Sequence, residues 1–142
     1  MQLPCLGIAG AVALLLATTQ AAVAAPGFLY DCDMSDAARS RGWISPKVAI
    51  VVIGDGSVQV VDALILHFEK KPIKATVLRD NASRLIIKWS LDNAKADSGR
   101  SFANFDYRAS IAKATGKIEL TAIPRNFDTG LRSGGRCQKR AK

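Results

Sequence analysis

The single histidine of the chain, His67, stands near two carboxylates that could join it in acid–base or metal chemistry. On a strand, His67 and Glu69 project from the same face, and Asp62 lies five residues before His67. A structural zinc site uses four protein ligands and a catalytic one three, so two ligands on one face do not complete a site. We therefore predict a histidine at the end of a strand, with no metal ion and no cofactor.

The sequence lacks the groups that nucleophilic catalysis needs. The sequence contains no Gly-x-Ser-x-Gly motif, and only His67 could be the base that activates a serine. Ser57 follows Gly54-Asp55-Gly56, which we interpret as a hairpin turn. This glycine segment lacks the third glycine and the following helix of a dinucleotide-binding motif. Carboxylates such as Asp106 and Glu119 keep a cell-envelope hydrolase as the third functional hypothesis, behind two non-enzymatic ones.

One of the three cysteines lies in a predicted leader, and the other two lie in the domain that follows it. Residues 1–25 carry no charged side chain, contain the apolar run 6–17 and end in small residues, which is typical of a cleaved signal peptide. An uncleaved membrane anchor is the alternative, because no Lys or Arg precedes the run. Cleavage removes Cys5 and leaves Cys32 and Cys137. In an exported chain this pair predicts a disulfide, with two free thiols as the alternative, and a periplasmic or secreted location.

Short strands and tight turns fill the remaining domain, 26–142. A β-branched run over 48–53 meets Asp55-Gly56, which predicts a type I′ hairpin turn. The return run, Ser57–Phe68, predicts a strand with either a bulge near Val60–Ala63 or two covered faces. Clear alternation of apolar and polar residues marks later strands, and no long amphipathic helix is evident.

We therefore predict one all-β domain, a small antiparallel β-barrel or β-sandwich of about seven or eight strands with a terminal disulfide. A short helical turn is expected within Met34–Arg41, with Ser35 as its N-cap, and a polar loop over 92–100. Arg125–Lys142 is expected to be a basic, flexible C-terminal coil. The predicted core comprises Val48, Ile50, Val52, Val58, Leu64, Leu66, Val77, Leu85, Ile87, Trp89, Tyr107, Ile111, Ile118 and Leu120.

The formal net charge of +8 is the feature of the sequence that says most about function, because a positive field attracts acidic partners. Anionic glycans, lipid headgroups or an envelope protein are the expected partners. Nucleic acid is disfavoured, because Trp89, Phe105 and Tyr107 fall on the predicted core side and cannot stack with bases. The candidate contacts with an anionic partner are Lys70, Lys71, Lys74, Arg84, Lys88, Arg132 and Arg136.

These observations favour an exported, non-enzymatic binding domain without a transmembrane segment after cleavage. A barrel that carries a small apolar ligand is the alternative, since the abundant aliphatic residues neither require nor forbid a cavity.

A few residues at the two ends of the domain resemble bacterial periplasmic lysozyme inhibitors of the small β-barrel type. Tyr30-x-Cys32-Asp33 is similar to an early Tyr-x-Cys of that family, and Gly135-Arg136-Cys137 supplies a late cysteine. The resemblance implies a barrel. The inhibitory loop of that family, similar to Ser-Gly-x-Gly-Ala-Arg-Tyr, is absent from the sequence, so we assign neither the family nor its activity.

Overall fold

A closed antiparallel barrel of eight strands is the architecture of the computed structural model, which describes residues 26–95 and 102–141. Each strand pairs with its neighbours in sequence, and the last pairs with the first. The all-β prediction is confirmed in its barrel form, while the predicted signal peptide lies outside the described residues. The strands are β1 Phe28–Met34, β2 Lys47–Val52, β3 Val58–Asp62, β4 Ile73–Asp80, β5 Arg84–Lys95, β6 Phe102–Ala112, β7 Lys117–Pro124 and β8 Leu131–Ala141.

The predicted disulfide is confirmed, and it joins the strands that close the barrel. Cys32 in β1 and Cys137 in β8 face each other, with their Cα atoms 3.9 Å apart. The prediction of coil for the C-terminal segment is wrong over β8. Gly134 and Gly135 suggested a loop, but a Cβ atom at Gly135 would collide with the carbonyl oxygen of Asp33, so this glycine permits close strand pairing.

The predicted strand Ser57–Phe68 is wrong in its second half, which forms helix α1, Ala63–Glu69. Asp62 ends β3 in an extended conformation, and its Oδ1 accepts a hydrogen bond from the Ile65 amide at 2.7 Å. The side chain thus satisfies a backbone donor that the first turn of a helix leaves free. Lys70 ends the helix in a left-handed conformation, φ 61°.

Two turns have a different geometry from the one predicted. The β2–β3 hairpin has a three-residue loop in which Gly56 has positive φ and Asp55 does not, so it is not the predicted type I′ turn. The predicted helical turn is a 3₁₀ helix, Ala37–Ser40, whose N-cap is Asp36 and not Ser35. β5 continues to Lys95, so the predicted polar loop begins later than expected, and 96–101 lie outside the described residues.

Inward-facing side chains fill the barrel. Most of the predicted core is buried, while Val52 and Leu64 are partly buried against it. Two core predictions are wrong. Leu66 is 46% exposed because α1 turns it away from the barrel, and Val77 is 38% exposed beside a register shift in β4. The confirmed residues are Val48, Ile50, Val58, Leu85, Ile87, Trp89, Tyr107, Ile111, Ile118 and Leu120.

Strand β4 changes its partner part-way along its length. Ile73, Lys74 and Ala75 pair with β3, whereas the pairs with β5 begin at Thr76. Thr76 lies opposite Lys88, and no described β4 residue is paired with the part of β5 that follows Lys88. The two strands therefore separate beyond this pair, and the separation shapes the candidate site.

Candidate anion-binding site

Five outward-facing residues form one lateral row across five consecutive strands. Thr76 on β4 pairs with Lys88 on β5, and Lys88 pairs with Arg108 on β6. Arg108 pairs with Thr121 on β7, and Thr121 pairs with Arg132 on β8. Neighbouring strands lie about 4.8 Å apart, so Lys88 and Arg108 lie side by side and Arg132 lies two strands, about 10 Å, beyond Arg108. We call these five residues the basic row.

The cations of the basic row form no ion pair with a described acidic residue, and Lys88 interacts with Asp106 only at longer range. Within residues 26–95 and 102–141, no carboxylate lies within 4.0 Å of the Lys88, Arg108 or Arg132 head groups. Lys88 and Arg108 are also directly opposite each other, and like charges in that position destabilise a sheet. The fold therefore maintains an unfavourable arrangement of charge here, which an anionic partner would relieve.

The nearest carboxylates are already engaged by other groups. Asp106 accepts hydrogen bonds from the Ser90 hydroxyl at 2.7 Å and from Arg125 at 3.1 Å. Arg125 and Ser90 hold the pKa of Asp106 below its usual value, so this group stays ionised. Arg125 also binds Asp92 at 2.8 Å. The Asp106 charge is thereby shared with a guanidinium and compensates the basic row only in part.

Negative charge increases at the β8 end of the basic row. Arg132 and Thr121 border a second depression, of about 430 Å³, that Asp36 and Glu119 also line. Glu119 lies 3.8 Å from Lys117, which offsets part of its charge. Nearby acidic residues therefore offset part of the positive charge of Arg132.

An open groove of about 440 Å³ lies where β4 and β5 separate. We call it the β4–β5 groove. Trp89 contributes to its wall although the side chain is only 4% exposed. The lining residues are Lys74, Thr76, Lys88, Trp89, Ser90, Asp106 and Tyr107.

The indole of Trp89 has a donor without an acceptor. Its Nε1 is buried and makes no hydrogen bond within the part of the chain that the structure describes, while its ring stacks on Tyr107 with centroids 5.3 Å apart. A buried donor left unpaired costs about 1–3 kcal/mol. The Tyr107 hydroxyl does have a partner, the Trp43 carbonyl oxygen at 2.9 Å, and burial raises the Tyr107 pKa. The Trp89 N–H is thus an unsatisfied donor on the core side of β5 among the described residues.

Comparisons with protein-family models, with curated proteins and with solved structures find no match. The candidate site therefore depends on the residues and geometry of this chain alone.

The seven predicted contacts occupy three regions. Lys88 and Arg132 belong to the basic row, and Lys74 lies beside it in the groove. Arg84 and Arg136 lie four residues further along β5 and β8, which is about 13 Å, where they bind the Ser110 hydroxyl and the Thr115 carbonyl oxygen. Lys70 and Lys71 lie in the α1–β4 turn, and the Lys70 Nζ donates to the His67 carbonyl oxygen.

Sequence reasoning missed Arg108. The alternation of Phe105, Tyr107 and Ala109 already placed it on the solvent face of β6. Its position opposite Lys88 depends on the register of two paired strands, which the alternation does not specify.

The groups considered for catalysis and metal binding are dispersed. His67 is exposed and contacts the Phe68 ring, while Asp62 is a buried helix cap whose pKa is raised by burial. In the described ranges, no cluster of three or more His, Cys, Asp or Glu side chains could hold a metal ion. None of the helices there is long and apolar enough to cross a bilayer.

Proposed function

We propose that this protein is an exported, non-enzymatic binding domain whose basic row binds an extended acidic polymer of the cell envelope, such as an anionic glycan. The observation that carries the proposal is the basic row itself, in which three cations form no ion pair with the acidic residues that the structure describes. Export is supported by the disulfide and by the leader-like sequence of residues 1–25.

The curvature of the barrel favours a flexible polymer over a flat surface. Eight strands spaced about 4.8 Å apart and tilted by about 40° form a barrel about 50 Å in circumference. Lys88 and Arg132 are three strands apart on a line perpendicular to the tilted strands, which is about 80° around that circumference. A flexible polymer chain can bend to follow the row, whereas a flat bilayer would have to meet side chains that point in directions about 80° apart.

The filled interior supports surface binding over the carrier hypothesis. An eight-stranded barrel is just wide enough either to be filled by side chains or to hold one small ligand. Here Trp89, Tyr107 and Ile87 are at most 4% exposed and project into the interior together with other large residues. A small apolar ligand would have to displace this packing.

The proposal is tested by binding of the mature protein to polygalacturonate, a carboxylate polymer, across a series of salt concentrations. Lys88→Gln/Arg108→Gln removes two cations of the basic row. Exposed ion contacts contribute roughly 0.5–1 kcal/mol each, so the affinity should fall about 5- to 30-fold. Arg39→Gln/Lys139→Gln makes the same change in net charge outside the row and should bind nearly as wild type does.

Arg132→Gln separates a polymer from a membrane. It should weaken polygalacturonate binding by more than it weakens any binding to vesicles with anionic lipids. Equal losses for the row variant and the charge-matched control would show that only net charge matters. Binding to vesicles but not to the polymer would overturn the choice of partner.

A further inference from the structure

We propose that a groove at one end of the barrel binds one sugar unit of the acidic glycan, with the sugar ring packed on Trp43 and Phe127 and its carboxylate bound by Arg41. The inference rests on the proposed function and deepens it, because the basic row attracts the polymer by charge and the groove adds contacts that require a sugar ring. The groove is a depression of about 250 Å³ whose lining includes Arg41, Trp43, Phe105, Phe127 and Leu131. We call it the aromatic groove.

One part of the aromatic groove is the loop between β7 and β8, which exposes Phe127. At 66%, Phe127 is the most exposed large apolar residue in the described part of the chain. Its N–H donates a hydrogen bond to the Pro124 carbonyl oxygen at 3.1 Å. The Arg125 N–H donates to the Asn104 carbonyl oxygen of β6 at 2.8 Å, so the loop is anchored to the barrel. Phe127 shares the groove with the partly buried Trp43, and contiguous apolar surface of this kind is typical of a binding site.

Trp43 supplies the second aromatic surface, and three contacts fix its position. Its ring stacks on the buried ring of Phe105, with centroids 4.4 Å apart. Its carbonyl oxygen accepts a hydrogen bond from the Tyr107 hydroxyl at 2.9 Å, and its N–H donates to the Ser40 carbonyl oxygen at 3.0 Å. The Trp43 side chain remains partly exposed, so a ligand can reach a ring that is already in position.

Arg41 brings a positive charge to the aromatic groove from a backbone conformation that favours glycine. Its φ is 54°, and Gly42 follows with φ 85°. A residue with a side chain is strained in this left-handed region, and strain of this kind is often found at functional sites. Arg41 forms no ion pair with a described acidic residue. Among the described residues no acid lines the groove, since Asp128, which follows Phe127, lies outside the lining.

These groups suit one unit of an acidic sugar. The face of an aromatic ring is negative and attracts the weakly positive C–H groups of a sugar ring, while a guanidinium binds a carboxylate through two parallel hydrogen bonds. Thr129 adds a hydroxyl to the lining. Pockets for drug-sized ligands span about 300–1,000 Å³, so 250 Å³ suits a single ring. The aromatic surfaces line a depression, which favours a sugar unit over a bilayer.

The aromatic groove continues the basic row toward the end of the barrel. On β6, Phe105 of the groove lies three residues, about 10 Å, from Arg108 of the row. On β8, Leu131 of the groove directly precedes Arg132 of the row. A glycan chain that follows the row to Arg132 can therefore place its next unit in the groove.

The first test compares binding of the mature protein to polygalacturonate, whose carboxylates are on sugar rings, and to polyacrylate, which has no rings. Phe127→Ala should weaken polygalacturonate binding about tenfold and leave polyacrylate binding unchanged. Lys88→Gln/Arg108→Gln should weaken the binding of both polymers, because the basic row acts by charge. Leu66→Ala, which truncates an exposed apolar side chain outside the groove, is the control and should bind as wild type does.

The second test uses trigalacturonate and its methyl ester, which keeps the rings and removes the charge. Each should produce a saturable change in tryptophan emission that Trp43→Phe abolishes, since Trp89 is buried in the core. Wild type should bind the acid about fivefold more tightly than the ester, whereas Arg41→Gly should bind the two equally. Arg41→Gly should also raise the urea midpoint, because glycine adopts the left-handed conformation without steric conflict.

The results separate the two proposals. Polygalacturonate binding that needs the basic row but is unchanged by Phe127→Ala and by Arg41→Gly would overturn the aromatic groove and leave the proposed function intact. Equal losses of polygalacturonate and polyacrylate binding in Phe127→Ala would also overturn the groove. If Phe127→Ala weakened binding to anionic vesicles and not to trigalacturonate, the choice of a sugar unit would be overturned. Absence of binding to either polymer and to trigalacturonate would overturn both proposals.

Discussion

Removing the Cys32–Cys137 disulfide should lower stability almost entirely through the unfolded chain. The bond joins residues 105 apart in sequence. In the chain-entropy model a loop of this length loses about 16 cal/mol/K, or roughly 4.8 kcal/mol at 25 °C. The native ladder between β1 and β8 has seven residue pairs, so the barrel can stay closed without the bond. We expect Cys32→Ala/Cys137→Ala to reduce the free energy of unfolding by about 4–5 kcal/mol.

Urea unfolding of the mature domain, followed by tryptophan fluorescence and circular dichroism, measures this loss. The wild-type protein with its disulfide reduced should match the double alanine variant, and both should show a steeper urea dependence because their unfolded chains expose more surface. A loss below about 1 kcal/mol with an unchanged slope would refute the reasoning. A changed native spectrum would show instead that the bond is needed to hold the folded barrel.

Two further substitutions test the packing at the end of the barrel where α1 begins. Tyr107→Phe removes the hydroxyl that donates to the Trp43 carbonyl, so we expect the free energy of unfolding to fall by about 1–2 kcal/mol; Tyr30→Phe is the control, since no hydrogen bond of its hydroxyl is found in the described residues. Asp62→Asn keeps an acceptor for the Ile65 amide and removes a charge that burial disfavours. Because the folded-state pKa of Asp62 is raised, its ionisation opposes folding above that pKa, and this effect disappears as the pH falls toward the unfolded value of 3.8. Urea midpoints at pH 7 and pH 4 measure this effect. The asparagine variant should be at least as stable as wild type at pH 7 and should have no advantage in stability at pH 4. An asparagine variant that is clearly less stable than wild type at pH 7 would contradict this.

The strands that face water on one side were predictable from sequence. In β5, Ile87, Trp89 and Leu91 alternate with the polar residues Lys88, Ser90 and Asp92, and this period of two requires one buried face. The cysteine pair added a long-range constraint that alternation alone does not provide. The prediction failed at Asp62, because one side chain both ends a strand and caps a helix, and the apolar residues that follow fit either period.

Less of the candidate site than of the fold could be predicted from the sequence. That Lys88 faces solvent follows from alternation, but its position opposite Arg108 depends on strand register. The β4–β5 groove depends on where Thr76 begins a new pairing, which results from the stagger of the whole barrel. The unpaired indole of Trp89 is a tertiary property of a residue that the sequence placed correctly in the core.

Closure of the barrel by its first and last strands has a consequence for synthesis. β1 cannot acquire its second neighbour until β8, residues 131–141, has left the ribosome and any export channel. Until then β1 and the most recently formed strand each present an open edge, which is a site for pairing with another chain. Non-local pairing of this kind also slows folding. Folding brings Cys32 and Cys137 together when those edges meet, so we expect most of the disulfide to form as the barrel is completed.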